Sequence, residues 1–470
     1  MSWENELREK YHHKGSFSHA SPKCIRLFPY TTSPVTQKII EELKSFFIIS
    51  GETLRDLSQV ENDVECNSSS ILTNIKDKIE TKNFTDLQHI IKVILFNERG
   101  LIHCFHPIIF YHLASQKKQK SITTLAHFTR DVLFEDHTEL GPDTSVDNDP
   151  TNIFYSLILQ TLPPLNSRKA KRVSRFYKAQ DPLHECFIKD CSFIKQDDQL
   201  FASNLPELLK FYFFIYQVRL VERLNLFFNN PPPQPFYFSV DWESLSKGRQ
   251  AFQEGWKRIE PKLATMFSHA HCLEMLNSVP IEDLTPPFTY SEIKDWQQNA
   301  SPATKRQAIV DINSLIYFYK EGIEQLKFNW NTFNYRSDHH ESIDKELENR
   351  IVYFYKMVHF QFEHSNRKAA AARYGKWLSQ FAASNFLKRR GPLGNTLCLS
   401  RDQLLFITRL CIGNRPEAKL RLTELWIEFS KRGVAFDFET QKQILALFNQ
   451  LNLIEKKSDS GDAQYVRATF

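Results

Sequence analysis

From Ser400 to Arg467 the chain carries its own punctuation, and this constrains the fold more than any other stretch. Ser400 is placed to N-cap a helix, with Gln403 three residues on to complete a capping box. Leu404, Leu405, Ile407, Leu410 and Cys411 recur at helical spacing, and Gly413 stops the run. A second helix is expected from Leu422 to Arg432, closed by Gly433. Asp437 caps a third, Phe438 to Leu451, which is expected to bury Phe438, Ile444, Leu447, Phe448 and Leu451. Two short strands, 453–457 and 463–467, flank the turn residues Ser458-Asp459-Ser460-Gly461-Asp462. Three short helices and a small β-hairpin wing predict a winged helix-turn-helix, a module that commonly sets its third helix in a DNA groove.

The remainder predicts a mainly α, multi-helical body. Among 470 residues there are only 13 glycines but 39 phenylalanines, so flexible turns are few and bulky core fillers many. Abundant aromatics and a net charge of +5 argue against disorder. Scarce glycine also excludes several chemistries. The Gly-Lys pair Gly375-Lys376 is followed by Trp377, so no P-loop exists. Gly391 and Gly394 are too few for a dinucleotide fingerprint, and neither a G-x-S-x-G elbow nor an H-E-x-x-H helix is present. No catalytic residue, cofactor or metal is therefore assigned. Weaker groupings are His103 with His106, His269-Ala270-His271-Cys272 and His339-His340-Glu341. All three suit buried or solvated histidines better than ligand sets. Eight scattered cysteines without C-x-x-C suit reduced thiols. The N-terminus lacks the order of a signal peptide, and no window is long and apolar enough to span a bilayer. A soluble, cytoplasmic protein is expected.

Composition shifts divide the chain. Residues 1–25 are expected to form a polar, frayed tail. Residues 26–140 form a helical region entered through the extended segment Arg26-Leu27-Phe28-Pro29-Tyr30. An acidic linker at 141–150 follows, then a helical region at 151–230 that contains a basic segment at 166–178. Leu205, Leu208, Leu209, Tyr212, Ile215, Leu220 and Leu224 mark its clearest helix. The triproline Pro231-Pro232-Pro233 opens a helical domain over 231–395, with one long helix started by Asp338 and Glu341 and another over Ala369 to Arg390. The winged module takes 396–470.

Charge is uneven along this frame. From Ser365 to Phe470 there are 18 Lys and Arg against 9 Asp and Glu, so the rest is slightly acidic. Two clusters contain no acid. The first holds Arg168, Lys169, Lys171, Arg172 and Arg175, with Phe176 and Tyr177 interleaved. The second holds Arg367, Lys368, Arg373, Lys376, Lys388, Arg389 and Arg390, with the last three expected at a helix end. Such runs suit DNA phosphates, and equally suit a solvated helix face. In the module, Gln441 and Lys442 on the third helix and Lys456 and Lys457 on the wing are the candidate DNA contacts. Only one lysine and one glutamate flank that helix, so a protein partner is weighed beside DNA.

The ending Arg432-Gly433-Val434-Ala435-Phe436-Asp437, with Ser458-Asp459-Ser460-Gly461-Asp462-Ala463-Gln464-Tyr465-Val466-Arg467, resembles the C-terminus of the DptG family. The Leu27-Phe28-Pro29-Tyr30-Thr31-Thr32 segment and the overall length are compatible. The resemblance covers the last forty or so residues and carries no catalytic motif. It implies a subunit of the bacterial phosphorothioation-dependent restriction system, an antiviral defence that damages unmarked DNA, with DptF-like and DptH-like ATPase-helicase partners. Three readings follow. The leading one is a non-catalytic subunit that contacts the DNA backbone and bridges partners. The alternatives are a divergent metal-dependent nuclease using carboxylates such as Asp136 and Glu243, and an adaptor whose winged helix docks protein only.

Overall fold

The computed structural model of the protein describes residues 3–13, 16–61, 72–73, 75–76, 83–95, 104–112, 120–135, 137–142, 153–162, 164–167, 174–335, 342–456 and 464–468. It is 64% helical and 7% strand, a mainly α molecule. Most of the expected acidic linker, residues 143–150, lies outside the described residues, as do Asp338 and Glu341.

Residues 1–25 are more than a frayed tail. Helix α1 (Trp3–Tyr11) buries Leu7 and Tyr11, and Phe17 follows them into the core. These apolar side chains are spread among polar ones, so the segment looks solvated until its long-range partners are known. Gly322 is one such partner. A Cβ there would meet Phe17 Cδ2 at 2.4 Å, so only glycine admits the ring.

The body is organised around two adjoining helices, α2 (Leu183–Ile194) and α3 (Asp198–Leu226). Asp197 caps α3 by accepting from the Leu200 N–H. Residues from Leu205 to Val221 are buried on every face of α3, the signature of a helix inside the core rather than on it. Helix α4 (Met266–Leu276) is likewise buried throughout. An α5 (Pro302–Glu324) and α6 (Ile343–Glu363) pair and α7 (Lys368–Asn385) enclose it. Ser342, not Asp338 or Glu341, caps α6, its hydroxyl accepting from the Lys345 N–H. Leu27, Phe28 and Tyr30 are buried as anchors, and Tyr30 donates to Gln217 on α3 at 2.6 Å.

Four short strands join the body to the C-terminal residues. After the triproline, β1 (Phe236–Tyr237) and β2 (Ser239–Val240) follow in close succession. Strands β3 (Leu387–Arg389) and β4 (Asn395–Leu399) form an antiparallel hairpin, and β2 pairs parallel with β4, Ser239 opposite Cys398. Next come α8 (Arg401–Ile412), β5 (Lys419–Arg421), α9 (Leu422–Lys431), β6 (Val434–Ala435), α10 (Phe438–Gln450), β7 (Ile454–Lys456) and β8 (Gln464–Arg467). β6 pairs parallel with β1, Val434 opposite Phe236. β7, β8 and β5 form an antiparallel sheet in that order. The expected hairpin thus gains β5 as a third strand, too short to show an alternating pattern. One hydrophobic cluster runs from Leu7 to Val466. Among the described residues, no helix is long and apolar enough to cross a membrane.

Candidate nucleic-acid interface

Lys388, Arg389 and Arg390 do not end a helix. Helix α7 stops at Asn385, and Lys388 and Arg389 lie on β3 opposite Thr396 and Asn395. Alanine-rich periodicity hides this stop, because the competing strand partner, β4, lies across a turn. Gly391 and Gly394 make that turn at φ 52° and 71°, values that side chains disfavour. The three cations then separate by role. Arg390 is half-buried. Its Nη2 donates to the Val240 carbonyl at 2.8 Å and to Ser239 Oγ at 3.1 Å, and its Nε donates to Thr396 Oγ1 at 3.1 Å. Its Nη1 donates to the Glu243 carbonyl. Lys388 is exposed and donates to the Asp241 carbonyl, while Arg389 is exposed on the strand. Among the described residues none of the three is paired with a carboxylate.

These contacts brace residues 240–249, which in turn hold the first turn of α10. The Glu243 carboxylate accepts from the Val240 N–H at 2.8 Å, from Thr440 Oγ1 at 2.8 Å and from Arg249 Nη2 at 3.0 Å. Arg249 Nε donates to Asp437 Oδ2 at 2.8 Å, and the Ala251 N–H donates to the same oxygen at 3.1 Å. Asp437 also caps α10 as expected, accepting from the Thr440 N–H at 3.0 Å. Burial alone would raise the Asp437 carboxyl, but the hydrogen bonds from Arg249, Thr440 and Ala251 hold it at about 2. Glu243, weighed above as a nuclease carboxylate, is thus a buried member of this latch, and Asp136 lies outside the described residues.

A second latch fastens α9. Arg432 has no exposed surface. Its guanidinium grips Asp190 on α2 bidentately, at 2.7 and 2.6 Å, and donates to Glu428 Oε2 at 2.8 Å. Tyr212 of α3 donates to the same Asp190 at 2.5 Å. Burial would raise Glu428, but Arg432 and Lys431 hold its carboxyl at about 2. Capping made Asp437 legible in the sequence. Nothing local marked Arg249, Asp190 or Arg432, whose partners are remote.

The other expected contacts are dispersed. Arg168, Lys169, Lys171 and Arg172 lie outside the described residues. Arg175 is exposed, with Nη1 2.6 Å from His127 Nδ1. Arg367 is half-buried near His19 and His271, while Lys368 is exposed at the start of α7. Arg373 and Lys376 share an exposed face of α7, where Arg373 donates to the Thr32 carbonyl at 2.6 Å. Lys388 lies on a strand and does not share that helical face. Gln441 turns inward and donates to the Phe436 carbonyl at 3.0 Å. Lys442 pairs with Glu439 at 3.1 Å and sits 4.2 Å over the Phe438 ring. Lys456 lies on β7 and Lys457 outside the described residues. Phe438, expected in the core, is 69% exposed, because the inward side of α10's first turn is taken by Asp437 and Thr440, which bond Arg249 and Glu243.

His269 and His271 sit in the buried α4. His269 is 3.0 Å from Tyr290 Oη, and His271 packs against His19 and Phe362. Among the described residues no three His, Cys, Asp or Glu side chains converge as metal ligands do. Compared with known proteins, the chain matches no family profile and no curated sequence.

Proposed function

We propose that the chain is a non-catalytic subunit that contacts the DNA backbone and scaffolds a larger complex. The observation that carries the reading is the β3–β4 hairpin, where Lys388 and Arg389 stand exposed, among the described residues without a carboxylate partner, beside the latched C-terminal residues. The order helix, strand, helix, strand, helix, strand, strand over residues 401–467, with the last two strands a hairpin, supports reading them as a winged helix-turn-helix. On the resemblance of its ending, we assign the complex to phosphorothioation-dependent restriction, with DptF-like and DptH-like partners and unmodified DNA as the target. The commitment of Glu243 to Arg249 and Thr440 supports a positioning role over a nuclease one.

The test is binding of the full chain to duplex DNA across a salt series. Affinity should fall steeply with salt and weaken in Lys388→Ala/Arg389→Ala. Absence of binding at low salt overturns the DNA reading, and metal-dependent cleavage by the isolated chain overturns the non-catalytic one. A second reading, the protein-docking adaptor, is favoured by α10 itself: its Lys442 is already paired and Gln441 faces inward. Salt-insensitive association with partner proteins, without DNA affinity, would select it.

A further inference from the structure

The geometry points to a stacking platform for unpaired bases, formed by Trp242 and Phe438, with Lys388 taking an adjoining phosphate. The surface would bind single-stranded nucleic acid, and this rests on the DNA-contacting reading above.

Among the described residues, the large aromatic side chains that stand exposed are Trp242 at 40%, Tyr317 and Phe438 at 69%. A chain with 39 phenylalanines hides nearly all of those described, so these exceptions carry information. Tyr317 lies away on α5. Trp242 and Phe438 flank one latch: Trp242 precedes Glu243, whose carboxylate accepts from Thr440, two residues beyond Phe438. Both mounts are held before any ligand arrives. The Trp242 turn is pinned by Lys388 to the Asp241 carbonyl and by Arg390 to the Glu243 carbonyl. Phe438 opens a helix capped by Asp437, with Lys442 over one face of its ring. A prepositioned ring loses little freedom on binding, and a flat π-face accepts any base.

The same contacts argue against a duplex groove as the main ligand. A third helix reading a groove offers its first turn to base edges. Here Thr440 is buried in the latch, Gln441 faces the Phe436 carbonyl, and Glu439 would oppose phosphate. What remains presentable is two aromatic faces and the exposed Lys388 beside the Trp242 turn, the combination that holds single strands without reading sequence.

The experiment compares a labelled oligothymidine with a duplex of equal length, using the full chain at low salt. Trp242→Leu and Phe438→Leu keep apolar bulk but remove the π-face, and Trp242→Phe restores one. Each leucine variant should lose about tenfold or more in oligothymidine affinity, with duplex affinity nearly unchanged, and Trp242→Phe should keep most of it. The melting temperatures of all variants, whose altered side chains are exposed, should match the parent. If the leucine variants bind oligothymidine like the parent while Lys388→Ala/Arg389→Ala does not, stacking is overturned and the DNA reading stands. If the parent binds neither nucleic acid, both fall. Loss of partner-protein association in the leucine variants, with oligothymidine binding intact, assigns the platform to protein and also overturns the inference.

Discussion

Arg432 joins α9 to α2 through a fully desolvated guanidinium whose partners, Asp190 and Glu428, are both occupied. Removing one partner of such a pair strands the other charge in a medium that cannot solvate it. Arg432→Met should therefore destabilise the protein by about 3–5 kcal/mol, read as a lower denaturation midpoint in urea, although methionine fills much of the volume. A double change that also makes Asp190 Asn should recover part of that loss. The neighbouring Gly433 sits at φ 82°, and a Cβ there would meet Ile215 Cγ2 at 2.6 Å. Gly433→Ala combines a disfavoured backbone with overpacking against α3. A cost of about 2–4 kcal/mol is expected, measurable in the same titration.

At the scale of elements, the β3–β4 hairpin carries three consecutive cations of unequal burial, Lys388 and Arg389 exposed and Arg390 half-buried in a hydrogen-bond cradle. Lys388→Ala and Arg389→Ala should leave the melting temperature near the parent value while together lowering the salt slope of DNA binding by about 2. Arg390→Ala should do the reverse, lowering the melting temperature by several degrees because it frees the Val240 and Glu243 carbonyls and Ser239 Oγ. Calorimetry beside the salt series separates the two outcomes. What the sequence showed at this scale was whatever is local. The Ser400–Gln403 capping box and the Asp437 cap form as expected, since each involves residues three apart. Strong helical periodicity predicts a helix end at Lys388-Arg389-Arg390, whereas Lys388 and Arg389 pair with β4 as a strand. Apolar spacing places Phe438 in the core, but spacing alone cannot tell which side of a helix start faces solvent, and Phe438 stands exposed. Arg249 was invisible as a latch, since its carboxylate Asp437 lies far along the chain.

For the whole molecule, burial of titratable groups shapes the pH range of stability. His271 is pushed down to about 3, first by burial and then by Arg367, and burial also lowers His19 well below the ordinary histidine range. A histidine with a depressed folded pKa contributes stability that is complete above about pH 6.5 and lost as pH falls toward the folded value. His271 should cost about 2 kcal/mol between pH 7 and pH 5, and His19 acts in the same direction. Glu42 opposes this trend: burial raises its carboxyl to about 7, so its contribution is present below the usual carboxylate range and fades as pH climbs to 7. Two histidines outweigh one carboxyl, so the denaturation midpoint should drop on acidification from pH 7 to 5, and His271→Phe should shallow that drop. Unfolding profiles across that range check it.

The parallel pairing of β1 with β6 brings Phe236 beside Val434. During synthesis, β1 leaves the ribosome long before its partner is made. Until then its edge is an open template for stray strands. Closure of that edge waits on residues far along the chain, so the β1–β6 pairing is a long-range contact that can form only after β6 has been made.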